Sequence, residues 1–242
     1  METKEIAQQL THDLDLDVTP VQISFLDAPP SGLKEHPGGV PSWCTFWADA
    51  RKEGFFAPLA KHDGCEIGAF VLGMPLEGAL GEKLMGTLGW MQGQGYLAKG
   101  EEAQIPHRSK SSKFVAYAPL GSISAAPSAV VLFAKPSSAM VAMEAASPGT
   151  AHPFGTTVSG RPACAVIPAV LEGRSPVAMS LGCAGFRVFT EVSDDKMLVA
   201  IRGDHLESFA RSVRDLKKAN TAVQGEMKRR KQAAKGKGSG KA

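Results

Sequence analysis

The sequence contains no uninterrupted apolar run of about 20 residues, the length that a membrane-spanning helix requires. Its most apolar stretch, residues 122–146, is broken by Pro127, Lys135 and Pro136. The N-terminal segment METKEIAQQL also lacks the apolar run that follows the basic residues of a secretory signal. We therefore expect a cytoplasmic protein with no membrane span.

Charged residues are also scarce, at 21% of the 242 residues, whereas hydrophobic residues make up 43%. This composition allows a sizeable core and excludes disorder of the whole chain. Nine of the 27 lysines and arginines, but only one acid, Glu226, lie in residues 217–242. The rest of the chain is therefore acidic, and the basic end has no aromatic side chain for stacking on bases. We expect a solubilising tail, with weak, salt-sensitive polyanion binding (RNA, DNA or lipid) as the alternative.

Hydrophobic periodicity predicts an α+β fold with a mixed sheet and a long C-terminal helix. Residues 1–216 would form a single globular domain, and residues 217–242 a basic helix end and flexible tail. The predicted helices are 4–14, 43–61, 78–99, 140–146 and 205–231. The predicted strands or buried apolar segments are 18–26, 66–74, 113–120, 128–135, 166–171, 178–192 and 197–201.

Cysteine is rare, and the four cysteines of the chain fall into two similar pairs. Cys44 and Cys65 are 21 residues apart, and Cys164 and Cys183 are 19 residues apart. In each half of the chain a predicted strand precedes the first cysteine, and an apolar segment with a glycine and an aromatic residue follows the second. This similarity suggests an internal repeat of two α/β halves, about residues 15–125 and 126–210, with the cysteines at their junction.

Several segments of the chain are similar to a known family. They are Pro20-Val21-Gln22-Ile23, Cys44 with Ala48 and Ala50, Cys65 with Gly68 and Leu72-Gly73, Pro119-Leu120, Gly160-Arg161-Pro162-Ala163-Cys164, and Ser180-Leu181-Gly182-Cys183-Ala184-Gly185-Phe186-Arg187. Over most of residues 15–210 the sequence resembles the archaeal and bacterial family known as domain of unknown function 169, or ArCR-like. The resemblance implies no defined activity, but it implies that the four cysteines and the segments ending at Cys164 and Arg187 form a shared site.

Four cysteines from separate elements are typical ligands of an iron–sulfur cluster, which requires four thiolates. Disulfides are not expected in a cytoplasmic protein of this size. Zinc sites usually take closely spaced pairs such as C-x2-C, and the pairs in this chain are much wider. We therefore expect an iron–sulfur cluster, with zinc or no cofactor as alternatives. The expected ligands are Cys44, Cys65, Cys164 and Cys183.

Two classes of function remain open. The protein could hold a metal centre or a small hydrophobic cofactor for an unknown redox or delivery partner. It could instead be an enzyme with one nucleophilic cysteine, whose pKa a neighbour such as His62, Arg161 or Arg187 would lower. These three residues are the candidate ligand-binding side chains. Cysteine also occurs as a small core residue, so purely structural thiols are a third interpretation.

Overall fold

The computed structural model describes residues 1–146, 157–173 and 175–238. Eight strands and eight α-helices occur in these ranges. The strands are β1 (Val21–Leu26), β2 (Lys34–Glu35), β3 (Phe55–Pro58), β4 (Phe114–Pro119), β5 (Ala129–Ala134), β6 (Thr157–Ser159), β7 (Val177–Ser180) and β8 (Met197–Arg202). The helices are α1 (Thr3–Asp13), α2 (Trp43–Asp49), α3 (Glu66–Val71), α4 (Ala79–Gly93), α5 (Pro136–Ala146), α6 (Val166–Leu171), α7 (Ala184–Thr190) and α8 (Leu206–Gly238).

All the described strands join one mixed sheet, in the order β2-β3-β4-β1-β5-β8-β7-β6. Neighbouring strands are antiparallel except for the parallel edge pairs β2–β3 and β6–β7. The two four-stranded halves meet at the antiparallel pair β1–β5. The predicted α+β class, mixed sheet and long C-terminal helix are thus confirmed. The internal repeat stays a prediction, which the matching strand order of the two halves supports.

Helices cover both faces of the sheet, and for this reason every residue of β5 is buried. Helices α1, α5 and α8 pack on one face, where Leu132 and Val199 of the sheet meet Leu10 and Phe209. Helices α2, α3, α6 and α7 lie with the other core, which contains Tyr117 of β4. Cys44 and Cys164 belong to this second core, and Cys183 packs against it.

The structure departs from the predicted elements in four places. Residues 66–71, predicted as a buried strand, form a helix, and residues 166–171 and 184–190, predicted as strands or buried apolar segments, also form helices. Helices of six or seven residues are too short to show a clear helical period. The predicted helix 43–61 ends at Asp49, and Phe55–Pro58 pairs with β4 as a strand.

The C-terminal helix α8 is anchored by its first two turns and then leaves the core. Leu206, Phe209, Ala210 and Val213 are buried. Exposed residues predominate after Leu216, and the helix continues to Gly238, beyond its predicted end at residue 231. The last four residues of the predicted tail lie outside the described ranges. No helix in the described part of the chain is long and apolar enough to span a membrane.

Candidate functional site

Each cysteine lies at the start of a different helical segment of the second layer. Cys44 is in the first turn of α2, and Cys65 immediately precedes α3. Cys164 lies in the short 3-10 turn Ala163–Ala165 that leads into α6, and Cys183 immediately precedes α7. Contacts between α2 and α7, and between α3 and the turn at Cys164, join the two halves of the chain. The fold therefore brings together residues that are up to 139 positions apart in sequence.

The four cysteines line one cavity of about 240 Å³, which we call the cysteine cavity. All four are free thiols. Apolar side chains form much of the remaining wall, and Glu66, Thr87 and Arg161 contribute polar groups. The apolar lining residues are Pro41, Ile67, Leu88, Met91, Leu97, Ile105, Pro162, Phe186 and Phe189.

Cys65 and Cys183 act as N-terminal caps of their helices. The Cys65 sulfur accepts a hydrogen bond from the Gly68 N–H at 3.2 Å, and the Cys183 sulfur accepts one from the Phe186 N–H at 3.4 Å. Gly68 is required at its position because a Cβ atom there would lie 2.8 Å from Cβ of Trp43. This close packing of α3 on α2 brings Cys65 next to Cys44.

Cys44 and Cys164 are the deeper pair, with only 6% and 3% of their surfaces exposed. Interaction with the neighbouring Cys44 thiol, followed by burial, raises the pKa of Cys164 well above its ordinary value. The thiols of Cys65 and Cys183 contribute to the same shift. Burial also raises the pKa of Cys65, although backbone hydrogen bonds oppose the change. Cys65 and Cys164 are therefore protonated at neutral pH when no cation is present.

Within the described ranges, no three His, Cys, Asp or Glu side chains are close enough together to hold a single metal ion. A mononuclear zinc site needs each sulfur about 2.3 Å from one centre. The cysteines surround the cavity and do not converge on one point. This spacing suits a ligand that fills the cavity better than it suits a single ion.

His62 does not line the cysteine cavity, and both of its ring nitrogens have partners elsewhere. Its Nδ1 lies 3.0 Å from the Leu59 carbonyl, which fixes Nδ1 as the donor. Nε2 then accepts the hydroxyl proton of Tyr117 at 2.7 Å, and the same hydroxyl accepts the Trp43 indole N–H. Burial lowers the pKa of His62 to about 4. His62 is therefore neutral, with both ring nitrogens hydrogen-bonded, and has a structural role in the core beneath α2.

The two predicted arginines have different roles in the structure. Arg161 lines the cysteine cavity, with its guanidinium 4.2 Å from the centre of the Tyr96 ring. Arg187 is outside the lining and donates to three backbone carbonyls, those of Leu181, Ser193 and Lys196, at 2.6–2.8 Å. It therefore holds the loops on both sides of α7 together and fixes the position of Cys183.

Sequence reasoning missed two tyrosines and the wall formed by α4. Tyrosine is rarer than cysteine in this chain, with only two present. Tyr117 joins the hydrogen-bond network beneath α2, and the Arg161 guanidinium lies over the ring of Tyr96. The scarcity of tyrosine is the feature of the sequence that could have drawn attention to both residues. The role of Leu88 and Met91 in the cavity wall left no signal, because apolar residues in a glycine-rich helix resemble ordinary core residues.

The family described as uncharacterised ArCR, domain of unknown function 169, matches residues 9–212. The matched range includes all four cysteines, Arg161 and Arg187. No curated protein and no solved structure is significantly similar to the chain.

Proposed function

The chain belongs to the domain of unknown function 169 family, and from the geometry of its cysteine cavity we propose that it binds an iron–sulfur cluster. The proposed ligands are Cys44, Cys65, Cys164 and Cys183. One observation carries the proposal: the only four cysteines of the chain, from four separate segments and both halves, line a single cavity. Structural core thiols have no reason to converge in this way.

The spacing of the thiols favours a cluster over a single ion. A cluster contains several metal atoms, and each cysteine needs to reach only one of them. The sulfurs can therefore stand further apart than around zinc, which agrees with the absence, among the described residues, of three side chains close enough to hold one ion.

The surroundings of the thiols also suit an anionic cluster. Backbone N–H groups of Gly68 and Phe186 donate to two of the sulfurs, an arrangement that stabilises thiolate ligands. Because the pKa values of Cys65 and Cys164 are raised, cluster binding displaces protons and is favoured by higher pH. Free thiols of this kind persist in a reducing compartment, so a cytoplasmic location is part of the proposal.

The cluster would serve electron transfer or delivery to a partner protein. The exposed basic side chains at residues 228–231 of α8 support a separate, weak interaction with a polyanion. Arg229 and Arg230 both pair with Glu226 there, so part of the positive charge is already neutralised. Binding through this segment would be strongly salt-dependent.

A reactive-cysteine enzyme is the second candidate, because the cavity has room for a substrate beside the thiols. A nucleophilic cysteine needs a lowered pKa. The raised pKa values of Cys65 and Cys164 oppose this role for those two residues. His62 cannot act as their base while both of its ring nitrogens are bonded elsewhere.

Alkylation of protein purified without oxygen separates the two candidates. We expect iodoacetamide to leave all four cysteines unmodified until ferricyanide or a chelator is added, after which mass spectrometry detects modification of all four. Each single Cys→Ser variant should expose the other three thiols, whereas Ile67→Val, at the same cavity, should protect them like the unmodified sequence. Rapid modification of one cysteine alone, with the other three unaffected by chelator, would favour the enzyme.

A further inference from the structure

The cysteine cavity opens towards a second concave region that the cluster ligands do not explain. This outer groove, of about 380 Å³, is lined by Leu97, Glu101, Gln104, Ile105, Pro106, Val158, Gly160 and Arg161. Leu97, Ile105 and Arg161 line both the groove and the cavity. These three side chains therefore form the boundary between the cavity and the groove.

The boundary combines apolar surface with one fixed cation. Leu97 and Ile105 present their side chains to both spaces although each is less than 10% exposed. The Arg161 guanidinium stacks on Tyr96, which holds the planar group in place. A guanidinium held in this way can form two parallel hydrogen bonds to a carboxylate.

The acids of the two linings have other partners. Glu66, in the cavity, pairs with Lys83 at 3.1 Å and accepts a hydrogen bond from Thr87. Glu101, in the groove, accepts the Ala98 N–H at 2.8 Å. Among the described residues, neither of these acids pairs with Arg161, so its charge is available there to a ligand that enters from the groove.

We propose that this boundary is a binding site for a small apolar carboxylate, whose carboxylate pairs with Arg161 and whose apolar part lies against Leu97 and Ile105. The outer groove, at about 380 Å³, is near the lower end of the range of about 300–1,000 Å³ that is usual for drug-sized ligands, so the ligand is small. The site lies beside the thiols and would place such a molecule next to whatever they bind. It goes beyond cluster binding and does not depend on it.

Calorimetric titration with hexanoate and with hexan-1-ol tests the proposal on the full chain. These probes share an alkyl chain and differ in charge. We expect hexanoate to bind at least tenfold more tightly than hexan-1-ol, and Arg161→Gln to abolish that difference. Arg161→Lys should retain part of it, because the charge remains while the two-pronged geometry is lost. Arg230→Gln, at the far end of α8, is the matched control and should bind both probes like the unmodified chain.

Equal affinity for the two probes, absence of hexanoate binding, or an unchanged preference in Arg161→Gln would overturn the proposal. Circular dichroism and thermal melting establish that each variant is folded. Iron analysis of the same samples separates this site from the cluster. Cys183→Ser should lose iron yet keep the Arg161-dependent preference, whereas Arg161→Gln should lose the preference yet keep iron.

Discussion

Cys65 and Cys183 occupy equivalent positions on two different helices. Each immediately precedes its helix, and each sulfur accepts the backbone N–H of the residue three positions later. Both sulfurs also line the cysteine cavity. Each of these two thiols thus has two roles, as a helix cap and as a proposed ligand. Suitable substitutions can separate the capping role from the ligand role.

Serine is expected to preserve the cap and remove the ligand. Ser is among the preferred N-cap residues, whereas Ala in its place destabilises a helix by about 1 kcal/mol. Metal-free Cys65→Ser and Cys183→Ser should therefore unfold in urea like the unmodified chain, and the Ala variants at lower urea concentration. All four variants should lose iron. Serine variants with full iron and sulfide content would contradict the ligand assignment.

Two glycine substitutions on neighbouring helices should have opposite effects. A Cβ at Gly68 would meet Trp43 at 2.8 Å and the Cys65 sulfur at 3.1 Å, whereas a Cβ at Gly86 of α4 meets nothing within 4 Å. Gly68→Ala should lower the free energy of unfolding by roughly 1–3 kcal/mol, as overpacking does, and should reduce iron content. Gly86→Ala should raise it by up to about 1 kcal/mol. Equal unfolding midpoints for the two variants would contradict the packing of α3 on α2.

The burial of His62 leads to a prediction of how the free energy of unfolding depends on pH. Burial lowers its pKa from 6.5 to about 4 in the folded chain. As the pH falls below 6.5, the unfolded chain takes up a proton that the folded chain does not, so stability is lost until about pH 4. Between pH 7.5 and 5 this loss amounts to about 2 kcal/mol.

Urea unfolding of the metal-free protein at several pH values measures the effect. His62→Gln should lose about 2 kcal/mol less stability than the unmodified chain over this interval. The comparison cancels the carboxylates, whose contributions are common to both proteins. Parallel pH profiles for the two proteins would show that His62 is not buried as a neutral group.

Arg187 should matter for stability through its three backbone carbonyl partners. Arg187→Met keeps the apolar stem and removes these bonds, and we expect it to destabilise the fold by about 2–4 kcal/mol, since bonds to charged groups contribute about 1.5–3 kcal/mol each before solvent exposure is considered. Arg211→Met, which removes only an exposed pair with Glu207, should change stability by less than about 1 kcal/mol. Equal unfolding midpoints would contradict a structural role for Arg187.

Long, regular segments were predictable from the sequence, and short buried ones were not. The helix at the N-terminus and the strands β4, β5 and β8 lie within one residue of their predicted bounds, and α8 begins within one residue of its predicted start although it ends seven residues later. Helices α3, α6 and α7 were predicted as strands or buried segments. Each has at most seven residues, about two helical turns, so its sequence carries no clear period that distinguishes a helix from a strand.

The four cysteines could be grouped from the sequence because they occur in two similar contexts. Their convergence on one cavity depends on the antiparallel junction of β1 with β5, which no local pattern encodes. The environment of His62 was equally inaccessible. Its partner Tyr117 is 55 residues away in the sequence and lies on strand β4. The sequence alone therefore could not show that His62 forms an internal hydrogen bond and does not bind a ligand.

The most direct test of the proposed cluster is chemical analysis of protein purified without oxygen. Iron, acid-labile sulfide and zinc are measured per chain, together with the visible absorption spectrum, for the unmodified sequence and for Cys183→Ser. We predict iron and sulfide in comparable amounts and a broad visible absorbance for the unmodified sequence. The iron, the sulfide and the absorbance should all be lost in Cys183→Ser. A colourless protein with four free thiols and no iron, before and after anaerobic incubation with iron and sulfide, would contradict the account.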